Sequence, residues 1–511
     1  MPRPLRPLIA ALDLGTSAVK AAFIDVNGDL LAATSIPVTT THLAGGGVEQ
    51  NPTDWVEAAE AAIAACIAEV GTAEAGRVAG LGLTGHMQDL VLLPASTPSE
   101  ATPHSLGPAV LYSDQRAAHD AAALQRDIVG WERLIGNEPD ATALPAQWAR
   151  LSREGDPRLA TARRLVCGPA GYLAWTLGLG SWCDATTATT TGMARPDGSG
   201  WVSEVADAAG IPARVLPGIV AGPTSILGRL ATGHARRLGL PAGIPVVLAP
   251  GDAATTTIGI VGTQAGQPYA YLGATGWVGV LADLTALRPP ACHLLAVPAT
   301  GATHAPTRLA IAALASAGST AEWAARMFLP NTDDPDAELA HWENDHGRTP
   351  TGLLALPSLA GERFPVRTDT LGAALVGMRA DTDASTAYRA MCEGVGYALR
   401  HALTALTPSG FTGELPIAGG ATRSQPWMRM IADILGVPLR IVSHQTATVT
   451  GCALATATVL GLNHRIRPLA HRPDATVYTP DPTAANAYAA SAETHLSLYE
   501  ILAHATKKTT P

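Results

Sequence analysis

Two short segments about half a chain apart constrain this sequence more than any other feature. Leu14-Gly15-Thr16-Ser17 and Leu272-Gly273-Ala274-Thr275 are turns of one kind, each set between apolar runs. Pro7 to Leu14 and Ala18 to Val26 read as strands around the first. Gln267 to Ala282 reads as a second strand–turn–strand. A tip rich in Gly, Ser and Thr aims several backbone N–H groups and hydroxyls at one point, which suits a phosphate. One such tip is weak evidence, because any β-hairpin can look like this. Two copies predict duplicated lobes, not a short-period solenoid, and a pair of tips clamping one polyphosphate.

The rest of the chain supports a mixed α/β layer. Asn27-Gly28-Asp29 is a turn that needs positive φ, and Leu30 to Val38 gives a third strand. Asn51-Pro52-Thr53-Asp54 supplies caps for a helix over Trp55 to Val70. Val78 to Leu83 follows as a short buried strand, and Asp89 to Leu93 as another. Ile244 to Ala249 is an apolar strand ending in Pro250-Gly251-Asp252. The Pro- and Gly-bearing stretch near residues 240–247 sets the expected division, 1–245 against 246–511.

Composition removes several classes. With 47% hydrophobic and 15% charged residues, the 511-residue chain buries sizeable cores and is not disordered. Aromatics are only 5%, so Ala, Val, Leu and Ile must fill those cores. A net charge of -9 without a long block of one sign argues against nucleic acid as a partner. The 6 cysteines form no C-x-x-C pair, which argues against a zinc site or disulfide framework and for reduced thiols. The apolar run Leu8 to Leu12 ends at Asp13, too short for a signal sequence or a membrane span. A cytoplasmic protein without membrane contact is expected.

Three further positions carry chemistry. Asp13, at the end of the first strand, is a natural carboxylate for magnesium, usually through water. Gly419-Gly420-Ala421 follows a strand and precedes a helical stretch, leaving room for a flat ligand such as adenine. Asp252 just past a buried strand suits a general base, since a carboxylate in an apolar setting is oriented and has a raised pKa. The same position also suits a helix N-cap. Gly80 to Gly85 fits the G-x-G-x-x-G pattern, but no helix begins at its turn, so a dinucleotide site is discounted. The P-loop, H-E-x-x-H and G-x-S-x-G motifs are absent.

Taken together, these residues resemble the FGGY family of carbohydrate kinases, in its xylulokinase-like branch. The resemblance runs through Asp13-Leu-Gly-Thr-Ser17, Gly82-Leu-Thr-Gly-His-Met-Gln88, Tyr112-Ser-Asp-Gln-Arg116, Gly251-Asp252, Leu272-Gly-Ala-Thr-Gly276, Gly361-Glu-Arg-Phe-Pro365, Glu393-Gly-Val-Gly-Tyr397 and Gly419-Gly-Ala-Thr-Arg-Ser424. Each is weak alone, and their shared order is strong. The resemblance implies a two-lobed actin-like (ribonuclease H-like) ATPase fold, with duplicated mixed-sheet lobes around a deep cleft. It implies ATP and Mg2+ as cofactors, a small sugar as acceptor, and a homodimer as the common assembly.

By the same resemblance Asp252 is the catalytic base and Asp13 the metal carboxylate. Gly15, Thr16, Ser17, Gly273 and Thr275 cradle phosphates, and Gly419, Gly420 and Ala421 line the adenine slot. His86, Met87, Gln88, Asp114, Arg116 and Asp252 meet the sugar, with Asp114 accepting from hydroxyls. The departures cluster where sugar is read. The usual Gly-Gln-Met-His-Gly loop is Gly85-His86-Met87-Gln88-Asp89, and the usual Asp-Asn is Asp252-Ala253. A ketopentose such as D-xylulose is the first expectation, with another ketose or a polyol next. A catalytically silent sugar- or nucleotide-binding sensor is the contrasting class, disfavoured by the retained Asp13 and Asp252.

Overall fold

The computed structural model describes residues 6–95, 104–220, 222–283, 291–298, 307–368, 370–443, 445–473 and 475–507. They divide into two compact units, bounded as Met1–Thr263, Leu294–Arg308 and Gln445–Pro468 for the first, and Gln264–His293, Leu309–His444 and Leu469–Pro511 for the second. This is not a single cut near 245. The strand ending at Leu248 pairs inside the first unit's sheet, so the segment through 263 stays with it, and 445–468 returns to it.

In the first unit, β1 (Leu8–Leu14) and β2 (Ala18–Asp25) form a hairpin in which Asp13 faces Lys20 across the ladder. The turn at Gly28 has φ 91 and leads into β3 (Leu30–Pro37), antiparallel to β2. Asn51 caps α1 (Pro52–Val70) by accepting from the Thr53 N–H. β4 (Val78–Gly85) returns parallel to β1 and places Thr84 beside Asp13. A short helix, α2 (Ala185–Thr190), is followed by β5 (Ile226–Arg229) and β6 (Pro245–Leu248), the latter parallel to β4. The sheet order is β5-β6-β4-β1-β2-β3. Its core is aliphatic and alanine-rich, as the scarcity of aromatics requires, with Phe23 and Trp55 buried within it.

The helix α3 (Asp252–Val261) springs from the end of β6 and packs on the helix Ala447–Val459. Gly259 and Gly451 make that packing backbone-to-backbone. A Cβ at Gly259 would overlap the Ala447 carbonyl, and one at Gly451 the Thr255 carbonyl. Gly80 and Gly82, from the discounted G-x-G-x-x-G match, lie inside β4 and leave room for Leu460 and Thr456 against the sheet. Those glycines are therefore explained by packing between helix and strand.

The second unit repeats the local scheme. β7 (Pro268–Leu272) and β8 (Gly276–Asp283) form an antiparallel hairpin. After β9 (Thr307–Leu314) come α4 (Gly318–Phe328), α5 (Pro335–His346) and the long buried α6 (Ala384–Leu406). β10 (Leu415–Ala418) runs parallel to β7, as β4 does to β1 in the first unit. α7 (Gln425–Leu435), β11 (Leu439–Ile441), β12 (Val477–Tyr478) and α8 (Pro482–Lys507) complete it. The sheet includes the order β9-β8-β7-β10-β11-β12. A hairpin whose first strand is flanked by a parallel strand occurs in both units, as the two similar turns predict. Among the described residues no helix is long and apolar enough to cross a membrane.

Candidate active site

Asp13 sits at the inner end of β1 and is 4% exposed, so its charge needs partners. Lys20 Nζ lies 3.8 Å from Oδ2, a loose ion pair from a half-buried lysine. Thr448 also hydrogen-bonds the carboxyl, and Thr448 Oγ1 in turn lies 2.9 Å from Thr256 Oγ1 on α3. Oδ1 is buried without any hydrogen-bond partner. Burial lifts this carboxyl above its ordinary range, against the pull of Lys20. A buried anionic oxygen with an unused lone pair fits a hard cation. No group of three His, Cys, Asp or Glu residues able to hold a metal occurs among the described residues. A cation here would take one protein carboxylate and complete its shell from water and phosphate, as magnesium does.

The loop after β4 carries the altered sugar motif. His86 donates its backbone N–H to the Leu14 carbonyl (3.1 Å), which fixes it next to the Asp13 strand end. Its ring makes an edge contact with Trp55, centroids 5.4 Å apart, and Nδ1 lies 2.7 Å from Asp89 Oδ2. Asp89 is held by the Tyr112 N–H (3.1 Å) and donates its own N–H to the Cys167 carbonyl (3.2 Å). Burial works against a charged imidazole, yet Asp89, Asp252 and Asp13 outweigh it and raise the His86 pKa. Gln88 adopts φ 73, a strained value for a side-chain residue, and donates its amide to Thr142 Oγ1 (2.7 Å) and O (3.0 Å).

Asp252 opens α3 as its first residue. Gly251 is the N-cap, so Asp252 stands one position inside the cap that the sequence also allowed, and its carboxyl accepts from the Ala253 N–H. It is half-buried. Burial, reinforced by the negative charge of Asp13, pushes its pKa up to about 7, with His86 pulling the other way. The carboxylate is thus poised between its two protonation states near neutrality. Thr84 Oγ1 donates to the Pro250 carbonyl (2.6 Å) and fastens the turn that carries Asp252 onto β4.

The structure places Asp114 differently from its expected role. It is fully buried, and both oxygens are taken. Oδ2 accepts from the Val48 N–H (2.9 Å) and from Arg116 Nη2 (2.6 Å), and Oδ1 accepts from the Arg116 N–H (3.0 Å). Arg116 continues to Glu49 Oε1 at 2.6 Å. These partners hold the Asp114 carboxyl below the usual carboxylate range, despite burial. The pair braces the loop and offers no open acceptor to a hydroxyl. At the first hairpin tip, Thr16 Oγ1 lies 3.3 Å from the Tyr112 hydroxyl, and Thr16 O accepts from Gln50 Nε2 (2.7 Å). Gly15 closes the turn by donating to the Ala18 carbonyl (3.1 Å), and the Ser17 carbonyl accepts from the Val38 N–H (3.0 Å).

In the second unit a pocket of about 320 Å³ joins residues from two separate motifs. Gly273 of the hairpin tip and Gly420 and Ala421 after β10 line it, with Tyr388, Trp427 and Asp336. Gly419 has φ 116, and a Cβ there would run into the Leu272 carbonyl, so only glycine lets β10 end against β7. The tip is pinned to the start of α4 by Gly318 N–H to Gly273 O (2.8 Å) and Ala317 N–H to Ala274 O (2.9 Å). Thr275 is not among the lining residues; its carbonyl closes the turn by accepting from the Gly273 N–H (2.9 Å). Sequence reasoning overlooked Asp184, Thr448 and Thr84. Asp184-Ala-Thr-Thr has the form of a helix cap, but nothing in it marks a partner 67 positions away.

Both units are α/β with mixed sheets, the actin-like ATPase architecture. Family models match it in two stretches, the N-terminal domain of the FGGY family of carbohydrate kinases over residues 8–259 and the C-terminal domain over 269–460. The chain belongs to the FGGY family of carbohydrate kinases, phosphotransferases with an alcohol acceptor. A xylulose kinase from Escherichia coli (strain K12) is 26% identical over 509 residues, covering 96% of this chain and 98% of that one. A glycerol kinase from Gloeobacter violaceus is 28% identical over 459 residues, covering 88% and 87%. The crystal structure of a xylulose kinase from Rhodospirillum rubrum superposes with a TM-score of 0.86 at 23% identity, covering 98% of this chain and 100% of that one.

Proposed function

We propose that this kinase transfers the γ-phosphate of ATP to a hydroxyl of a ketopentose such as D-xylulose. The observation that carries the reading is Asp252, a half-buried carboxyl at the head of α3 with a pKa near 7, beside the sugar loop. As the hydroxyl attacks in line, Asp252 takes its proton, and the transferred phosphoryl is stabilised mainly by positioning and charge. Asp13, with Thr448 and Lys20 around it, is the residue that would hold magnesium. Magnesium, when bound, neutralises charge on the β- and γ-phosphate oxygens. The first hairpin tip at Thr16 and Ser17 and the second at Ala274 would meet phosphates with backbone N–H groups, while Gly15 and Gly273 use their own N–H groups to close the two turns. Gly420 and Ala421 leave the wall of the second unit's pocket open to a flat base.

The full-length similarity to the xylulose kinase of Escherichia coli supports the ketopentose. A second reading, another ketose or a polyol, is favoured by the substitutions at His86, Gln88 and Asp89, in the loop expected to read hydroxyls. Sites built to pair a hydroxyl discriminate strongly, so these changes bear directly on acceptor choice. The test is ADP release with magnesium and ATP across ketoses, aldoses, polyols and sugar acids, run beside D252N. One acceptor giving turnover that the variant loses, by about 100-fold or more, supports base and substrate together. Turnover on a polyol with none on any ketopentose rejects the first reading for the second.

A further inference from the structure

Asp184 is a carboxylate only 5% exposed, and one of its oxygens does two things. Oδ1 accepts from the Thr187 N–H at 2.9 Å, capping α2, and from the Gly251 N–H at 3.0 Å. Gly251 directly precedes Asp252 and has no side chain of its own to anchor the turn. The helix that presents Asp184 is itself fixed at two further points. Thr186 Oγ1 donates to the Ala296 carbonyl (2.7 Å), and Thr189 Oγ1 accepts from the Ala296 N–H (3.1 Å). Burying an anion is costly, and the two N–H contacts, with the Thr187 hydroxyl, offset only part of that cost, so burial still raises the Asp184 carboxyl. A plain cap does not require the second contact, and serine or threonine caps as well without a buried charge.

We propose that Asp184 is a positioning residue for the phosphoryl transfer, holding the Gly251–Asp252 turn so that the base meets the acceptor hydroxyl. The proposal rests on the kinase reading given above. A carboxylate long enough to reach from the α2 cap to the Gly251 N–H couples two segments 67 positions apart. Met87 of the sugar loop and Thr187 of α2 both pack against Gly251, where a side chain would otherwise stand. Thr84 holds the same turn through the Pro250 carbonyl, so releasing the Asp184 tie leaves Gly251 fastened on one side only, and a misplacement of about 1 Å costs roughly 100-fold in rate.

Three variants separate this role from capping alone. D184N keeps an acceptor oxygen of the same reach. D184S keeps an α2 cap but is too short for the Gly251 N–H. D184A removes both. The readouts are kcat and KM for the acceptor, and amide hydrogen exchange of the peptide spanning 249–253. D184S is expected to lose about 100-fold in kcat with acceptor KM changed less than about threefold, and to exchange about tenfold faster at that peptide. D184N is expected to stay close to the parent in both. D184S matching the parent in kcat and in exchange would show Asp184 to be a cap only and overturn the proposal. If the parent phosphorylates no acceptor, the kinase reading fails, and the tie is then judged on the exchange of D184S alone.

Discussion

Asp89 Oδ2 lies 2.7 Å from His86 Nδ1, and the two residues are 0% and 3% exposed. A pair this deeply buried is costly to break from one side, because the remaining charge has lost both water and partner. D89N is therefore expected to destabilise the protein by about 3–5 kcal/mol. H86Q/D89N, which neutralises both, is expected to lose at least about 1 kcal/mol less than the two singles summed. Urea unfolding of the three variants measures this. Additive losses would mean that the two residues do not act as a pair.

Asp252 has its pKa pushed up to about 7 by burial and by Asp13. The base must be ionised to accept a proton, so log kcat/KM should rise with slope 1 up to about pH 7 and then level. The linkage runs the other way. A raised carboxyl binds its proton more tightly when folded, so its stabilisation is present at low pH and lost as pH rises through about 7. A pH–rate profile flat from pH 5 to 8 would remove Asp252 as the titrating base.

The backbone contact between α3 and the helix Ala447–Val459 has no slack. A Cβ at Gly451 meets the Thr255 carbonyl, the neighbouring carbon and the Gly259 N, none of which is a flexible side-chain end. G451A should cost about 3 kcal/mol or more, at the upper end of overpacking, and reduce soluble yield. Alanine is the better helix former, so a lowered Tm for G451A in thermal melts reports overpacking, and an unchanged Tm would show that the contact has slack.

His401 and His495 meet in the second unit with their rings tilted at 32°, Nε2 of His401 lying 3.0 Å from Nδ1 of His495, and His495 Nε2 lies 2.8 Å from the Ala355 carbonyl. Burial depresses both, His401 to about 3 and His495 to about 4. A histidine held neutral adds stability above its unfolded pKa of about 6.5, and that stability drains as pH falls toward the folded value. At pH 5 the loss should approach about 2 kcal/mol per histidine. The H401Q/H495Q double variant should lose less stability than the parent between pH 7 and 5. An equal loss would place acid sensitivity elsewhere.

What the sequence determined by itself is local. Apolar runs and turn residues located β1, β2, β3, α1 and the second hairpin, because a strand-length apolar run, the Asn27-Gly28 turn and the Asn51 cap depend on near neighbours. The two phosphate-type turns were legible for the same reason, and with them Asp13 at a strand end. Only the tertiary structure decided how the candidate residues are used. Asp114 looks like an open acceptor in the chain and is consumed by Val48 and Arg116 in the fold. His86 and Asp89 are three positions apart in sequence, yet their pairing depends on a loop that buries both. Asp184 meets Gly251, Thr448 meets Asp13, and Gly80 with Gly82 makes room for a helix near the chain's other end. Such contacts join segments that no spacing rule links. They arise when burial removes water as a partner and leaves each polar group to find another.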